Sequence, residues 1–91
     1  MKIDYDPHKN NRNIENRGLS FDEVTSFEFE TAICWEDTRK DYGEQRYCAL
    51  GKIADRLHAL VYTRINEGIR VISLRKANKR EVKNYESKTK S

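Results

Sequence analysis

The segment Ile69 to Glu86, IRVISLRKANKREVKNYE, narrows the fold more than any other stretch of this chain. From Ile69 to Leu74, β-branched residues sit between polar and charged ones, the pattern of a strand. The chain then turns through Arg75-Lys76-Ala77-Asn78. Asn78 with Glu81 three residues on has the spacing of an N-terminal capping box, so a short basic helix is expected from Asn78. Arg70, Arg75, Lys76, Lys79, Arg80 and Lys83 face only Glu81 and Glu86 in this segment. Six cations against two anions at a strand-to-helix junction point to a phosphate-binding surface. A solvated basic helix is the plainer alternative.

Ninety-one residues allow one domain with one modest core, read here as a single unit over 1–91 with a flexible tail from about 87. Charged residues make up 36% of the chain, yet Phe21, Phe27 and Phe29 cluster ahead of β-branched runs, which argues for a folded domain. The charge is uneven. Residues 1–63 carry nine Lys/Arg against twelve Asp/Glu, net −3; residues 64–91 carry nine against three, net +6. An acidic partner is therefore expected at the C-terminal third. Cys34 and Cys48 both lie in apolar stretches and read as buried thiols, and neither has metal-ligand spacing with His8 or His58. No cofactor or metal is expected. Without a signal peptide or a long apolar run, the chain reads as soluble and cytoplasmic, with no membrane partner.

In chain order, Lys2 to Tyr5 fits a short edge strand. Asp6-Pro7 opens a helix, Asp as N-cap and Pro where its missing N–H costs nothing, and Gly18 closes it. Its asparagines are poor helix formers and Ile14 is its only large apolar residue, so docking must hold it. Ser20-Phe21-Asp22-Glu23 is a capping box for a second helix, ending near Phe29, with Leu19 placed to staple on Val24. Strands follow over Thr31–Trp35, Gln45–Ile53, Leu57–Arg64 and Ile69–Leu74, with a polar loop from Glu36 to Glu44. Asp55-Arg56 and Asn66-Glu67-Gly68 make the turns, Gly68 being free to take positive φ.

The expected fold class is α+β: two N-terminal helices packed on a four-stranded, mainly antiparallel sheet, with a C-terminal helix after the last strand. Alternation puts Cys48, Leu50, Leu60, Tyr62, Ile72 and Leu74 beneath the two helices. Tyr47, Ala49, Ala59, Val61, Thr63, Val71, Ser73 and Arg75 then form a smaller, more polar face suited to a ligand.

These residues resemble the BrnT family over essentially the whole chain. The resemblance rests on Asp6-Pro7, Gly18-Leu19-Ser20-Phe21, Glu36 to Glu44, Arg46-Tyr47, Gly51, Arg56-Leu57-His58 and Val61-Tyr62-Thr63. Its most specific part is Ile69 to Ser73 running into Arg75-Lys76-Ala77, and Arg80-Glu81 and Tyr85-Glu86 also fit. It implies a RelE-like fold and a bacterial type II toxin that cuts RNA. It also implies neutralisation by a BrnA antitoxin, which represses the operon with the toxin and alone contacts DNA. Some members carry a histidine in the loop after the first of the four strands, where this chain has Thr38-Arg39-Lys40.

A metal-free ribonuclease uses the 2′-hydroxyl of its RNA as nucleophile and needs a base, cations for the phosphorane charge and an acid for the leaving oxygen. Arg75 is the first candidate for the cationic clamp, because a guanidinium fork binds two phosphate oxygens at once. The plainer alternative pairs it with Glu44 or Glu86. Arg46 and Arg64 follow, although their strand parity faces the core. Tyr85 on the last helix either assists proton transfer or stacking, or packs that helix on the sheet. His58 is the one central histidine, but on core parity. Glu44 is a candidate base or a solvated loop carboxylate. Arg70, Lys76, Lys79, Arg80 and Lys83 are the expected RNA contacts. A non-catalytic basic module that docks RNA or an acidic protein remains the alternative function.

Overall fold

The computed structural model describes residues 1–89. Strand β1 (Lys2–Tyr5) leads into helix α1 (Pro7–Arg17), then two 3₁₀ turns (Phe21–Ser26 and Phe29–Thr31). Strands β2 (Ile33–Glu36), β3 (Tyr47–Ile53), β4 (Arg56–Ile65) and β5 (Gly68–Lys76) follow, and helix α2 (Lys79–Thr89) ends the described chain. The strands form one sheet in the order β1-β5-β4-β3-β2, with β1 parallel to β5 and the other pairs antiparallel. Neither helix is long and apolar enough to cross a membrane. Of the tail expected from about residue 87, residues 87–89 are the end of α2 and residues 90–91 lie outside the described residues.

This corrects the expected architecture in two ways. The sheet has five strands and is mixed, because β1 is a full member beside β5. Its partner lies at the far end of the chain, which local patterning cannot register. The second α-helix is a 3₁₀ turn. Ser20 caps it, its Oγ accepting from the Asp22 N–H at 3.1 Å, but no reciprocal bond from the Glu23 side chain completes the expected capping box among the described residues. Phe21 and Val24 stand three residues apart, which suits the three-residue turn of a 3₁₀ helix and aligns them on one face, and Phe27 follows in extended conformation just after it. All three are buried against the sheet.

The cap of α1 forms as read. Asp6 Oδ1 accepts from the His8 N–H at 2.9 Å, and Gly18 takes the left-handed conformation (φ 64°) with its N–H on the Ile14 carbonyl. The docking is polar. Ile14 is 43% exposed, while Asn10 and Asn13 are buried. Asn10 Oδ1 accepts the Phe21 N–H at 2.7 Å, and Asn13 Nδ2 donates to the carbonyls of Leu19 (2.8 Å) and Leu74 (2.9 Å). Pairing of β1 with β5 stops at Val71. Helix α1 covers the next part of that edge, where Asn13 satisfies a strand carbonyl left without a ladder partner.

The face assignment also changes. The β3–β4 hairpin turns on two residues, Ala54 and Asp55, both at positive φ (48° and 65°). A two-residue turn pairs even with odd numbers: Ala49 faces Leu60, and Leu50 faces Ala59. Tyr47 and Ala49 therefore join Leu60 and Tyr62 in the core beneath the N-terminal layer, while Cys48 and Leu50 turn to the opposite face. In β5, Val61 pairs with Ser73 but Tyr62 with Val71, leaving Ile72 as an unpaired bulge residue. The extra residue brings Ile69 and Val71 into the same core as Leu74. Glu67, not Gly68, supplies the positive φ of the β4–β5 turn. Gly68 lacks a side chain for another reason: any Cβ there would strike the Lys2 backbone of the neighbouring strand.

Candidate functional site

The N-terminal layer covers one face of the sheet, and α2 covers only part of the other. Reciprocal hydrogen bonds start α2, with Asn78 Oδ1 accepting the Glu81 N–H at 2.8 Å and Glu81 Oε1 accepting the Asn78 N–H at 2.9 Å. Beneath it, Leu50, Leu57, Ala59, Ala77 and Tyr85 make a second small core with Ile33 and Val82. The next row across the sheet, Trp35, Cys48, Val61 and Ser73 by register, is left open. A cleft of about 350 Å³ lies there, walled by Arg75 and Glu81 on one side and by Trp35, Asp37 and Arg39 on the other.

Arg75 stands at the border of the open row and α2. Its two Nη groups donate to the two carboxylate oxygens of Glu81 at 2.7 and 2.8 Å, a fork-on-fork pair. That bond lowers the Glu81 pKa and raises that of Arg75. The partner is thus Glu81, not Glu44 or Glu86. A phosphate presents the same two-oxygen edge that Glu81 presents now.

Across the cleft, Asp37 is buried and accepts four hydrogen bonds: from the Arg39 N–H (3.2 Å), Nε (2.8 Å) and Nη2 (2.9 Å), and from Tyr42 Oη (3.2 Å). The Arg39 bonds hold its carboxyl well below the usual carboxylate range. Burial pushes the Cys48 thiol between these walls upward. The Asp37 cluster lies in the stretch read as a polar loop; any loop Asp can form such an Asx turn with the N–H two residues on, so the sequence carries no signal that singles it out.

Both carboxylates, Asp37 and Glu81, titrate lower in the folded chain than in the unfolded one, where Asp and Glu lie near 3.9 and 4.3 (approximate values). Their stabilisation is therefore complete above those values and is lost as the pH falls through the folded ones. Asp37→Asn is expected to melt lower at neutral pH and to lose less melting temperature than wild type on acidification below about pH 4. Parallel melting curves against pH for the two proteins would show that Asp37 contributes nothing to acid sensitivity.

The other candidates lie elsewhere. Arg46 pairs with Glu44 at 3.3 Å and lies 4.2 Å from the Tyr42 ring centre; Arg64 lies 4.4 Å over Tyr47. Neither lines the cleft. His58 is buried beside Gly51 and Lys76, its Nδ1 2.7 Å from the Arg56 carbonyl oxygen. Tyr85 is buried and donates from its hydroxyl to the Thr31 carbonyl at 3.0 Å. Arg70 pairs with Asp4 at 3.2 Å, and Lys76, Lys79, Arg80 and Lys83 are exposed. Cys34 is exposed rather than buried, and Cys48 is half-buried.

These features define a small α+β domain with one closed sheet face and one open face that presents an arginine fork in a cleft. The chain belongs to the BrnT family: the family model for the ribonuclease toxin, BrnT, of type II toxin–antitoxin systems matches residues 5–81. The match takes in Arg75 and Glu81 and stops at the first turn of α2. The search of curated proteins finds no match.

Proposed function

We propose that the chain is a metal-independent endoribonuclease that inhibits translation in the cytoplasm by cutting RNA, with Arg75 as the phosphate clamp. A BrnA-like antitoxin neutralises it by covering the basic surface of α2 and β5, and the pair represses its own operon, with DNA contacted through the antitoxin. The observation that carries this reading is the Arg75 fork, held on the open sheet face against a carboxylate that a phosphate can replace.

In this mechanism the scissile phosphate takes the Arg75 guanidinium from Glu81. Glu81 then loses the partner that depresses its pKa and becomes a stronger base beside the substrate. It accepts the 2′-hydroxyl proton, the 2′-oxygen attacks phosphorus, and the bond to the 5′-oxygen breaks as that oxygen takes a proton from water, leaving a 2′,3′-cyclic phosphate and a 5′-hydroxyl; the proton on Glu81 returns to the hydroxide so formed. Arg75 stabilises the charge on the equatorial oxygens. Lys76, Lys79, Arg80 and Lys83 draw the strand in. Tyr85 serves packing in this reading, because its hydroxyl is already committed to Thr31.

Incubation of purified protein with naked RNA in chelator tests the proposal. Fragments ending in 2′,3′-cyclic phosphate are expected. Salt-sensitive RNA binding without cutting would assign the chain to the non-catalytic binding class instead, and cutting only after addition of a divalent cation would overturn metal independence.

A further inference from the structure

Helix α1 carries a second cationic surface, in the part of the chain whose summed charge is negative. Lys9, Arg12 and Arg17 are exposed there and, with Asn16 and Ser73, line a shallow depression of about 260 Å³. Arg39, Arg46, Arg70 and Arg75 each hold a carboxylate; among the described residues, Lys9, Arg12 and Arg17 hold none. Lys9 and Arg12 are neighbours on one helix face; Asp6 and Glu15 each stand three residues from one of them, but neither forms an ion pair with it among the described residues.

This depression adjoins the open row of the sheet, because Ser73 at the end of that row also lines it. Arg17 Nη1 donates to Asn13 Oδ1 at 2.9 Å and reaches Ser73 Oγ at 3.5 Å. Ser73 closes the open row of the sheet and precedes Arg75 by two residues on the same face. From Trp35 on β2 to Ser73 on β5 the row crosses three strand spacings, about 14 Å. It has an exposed aromatic ring at one end and unpaired cations at the other. A single nucleic-acid strand, with bases to stack and phosphates to neutralise, fits that polarity.

We propose that Lys9, Arg12 and Arg17 form a distal phosphate site for single-stranded RNA lying across the open row, perpendicular to the β-strands. The proposal rests on the ribonuclease reading and extends it from one phosphate to the bound strand.

The test is the salt dependence of binding to a 2′-O-methyl oligoribonucleotide of about twelve nucleotides, which lacks the nucleophile and is not cut. Each phosphate contact on a single strand contributes about 0.7 to the slope of log K against log salt. The double variant Lys9→Ala/Arg12→Ala, with wild-type melting temperature, should lose about 1.4 from that slope. A wild-type slope overturns the proposal, as does weaker binding with an unchanged slope. An unchanged RNA slope with lost affinity for polyglutamate would assign the surface to an acidic protein and also overturn it. Absence of RNA binding by the wild-type chain would instead sink the ribonuclease reading, and this extension with it.

Discussion

Arg75→Ala is expected to lower RNA cleavage by about 10²–10³, or roughly 3–4 kcal/mol of transition-state stabilisation, with little change in folding. The variant loses both hydrogen bonds to Glu81, but the pair is partly exposed, with the side chains 38% and 23% accessible. Solvent screening then limits its contribution to stability to about 1 kcal/mol. Glu81 keeps its second role in that variant, because its bond to the Asn78 N–H does not involve Arg75. Cleavage rate and melting temperature therefore separate the two roles. A rate near wild type would show that Arg75 is not the clamp and would move attention to Arg46 or Arg64. A rate and a melting temperature that fell together would make the residue structural.

Phe21→Ala is expected to cost about 3–5 kcal/mol of stability, the usual range for deleting a fully buried phenyl ring. Phe21 is 1% exposed. Its backbone N–H is held by Asn10, and its ring meets the Tyr5 ring edge-on at 5.7 Å, so β1, α1 and the 3₁₀ turn converge on one residue. A domain of this size holds only about 5–15 kcal/mol in total, so the loss is a large share. Urea unfolding measures it. A loss below about 1 kcal/mol would mean that the 3₁₀ layer is peripheral to the core.

What was legible in the sequence was local. Asp6-Pro7, Ser20 and the Asn78–Glu81 box each declare a turn start through neighbours three residues apart or fewer, and all three caps form. The β4–β5 hairpin was equally readable. The faces of β3 were not, because which side Leu50 takes depends on whether the turn before Arg56 holds two residues or three. Ile72 hid the β5 register in the same way, since a bulge residue looks like any other apolar residue in a strand. Asp37 and Arg39 read as loop charges because nothing in their order shows that the carboxylate is buried. The α1 cations were hidden by arithmetic: a sum over residues 1–63 mixes Lys9 and Arg12 with acids most of which lie outside α1, in the 3₁₀ turns and the loop from Glu36 to Glu44.

The pairing of β1 with β5 also bears on when the protein can exist at all. Residues 2–5 align with residues 68–71, so residues 6–67 must be synthesised before this strand can meet its partner. At about 5–20 residues per second, the N-terminal strand and its helix wait several seconds for the edge they cover. Until then Asn13 has no Leu74 carbonyl to satisfy, and Arg75 and Glu81 have not been made. A nascent chain that ends before Glu81 cannot carry the cleft. Such long-range pairing slows folding, and it ties the open cleft to synthesis through Glu81.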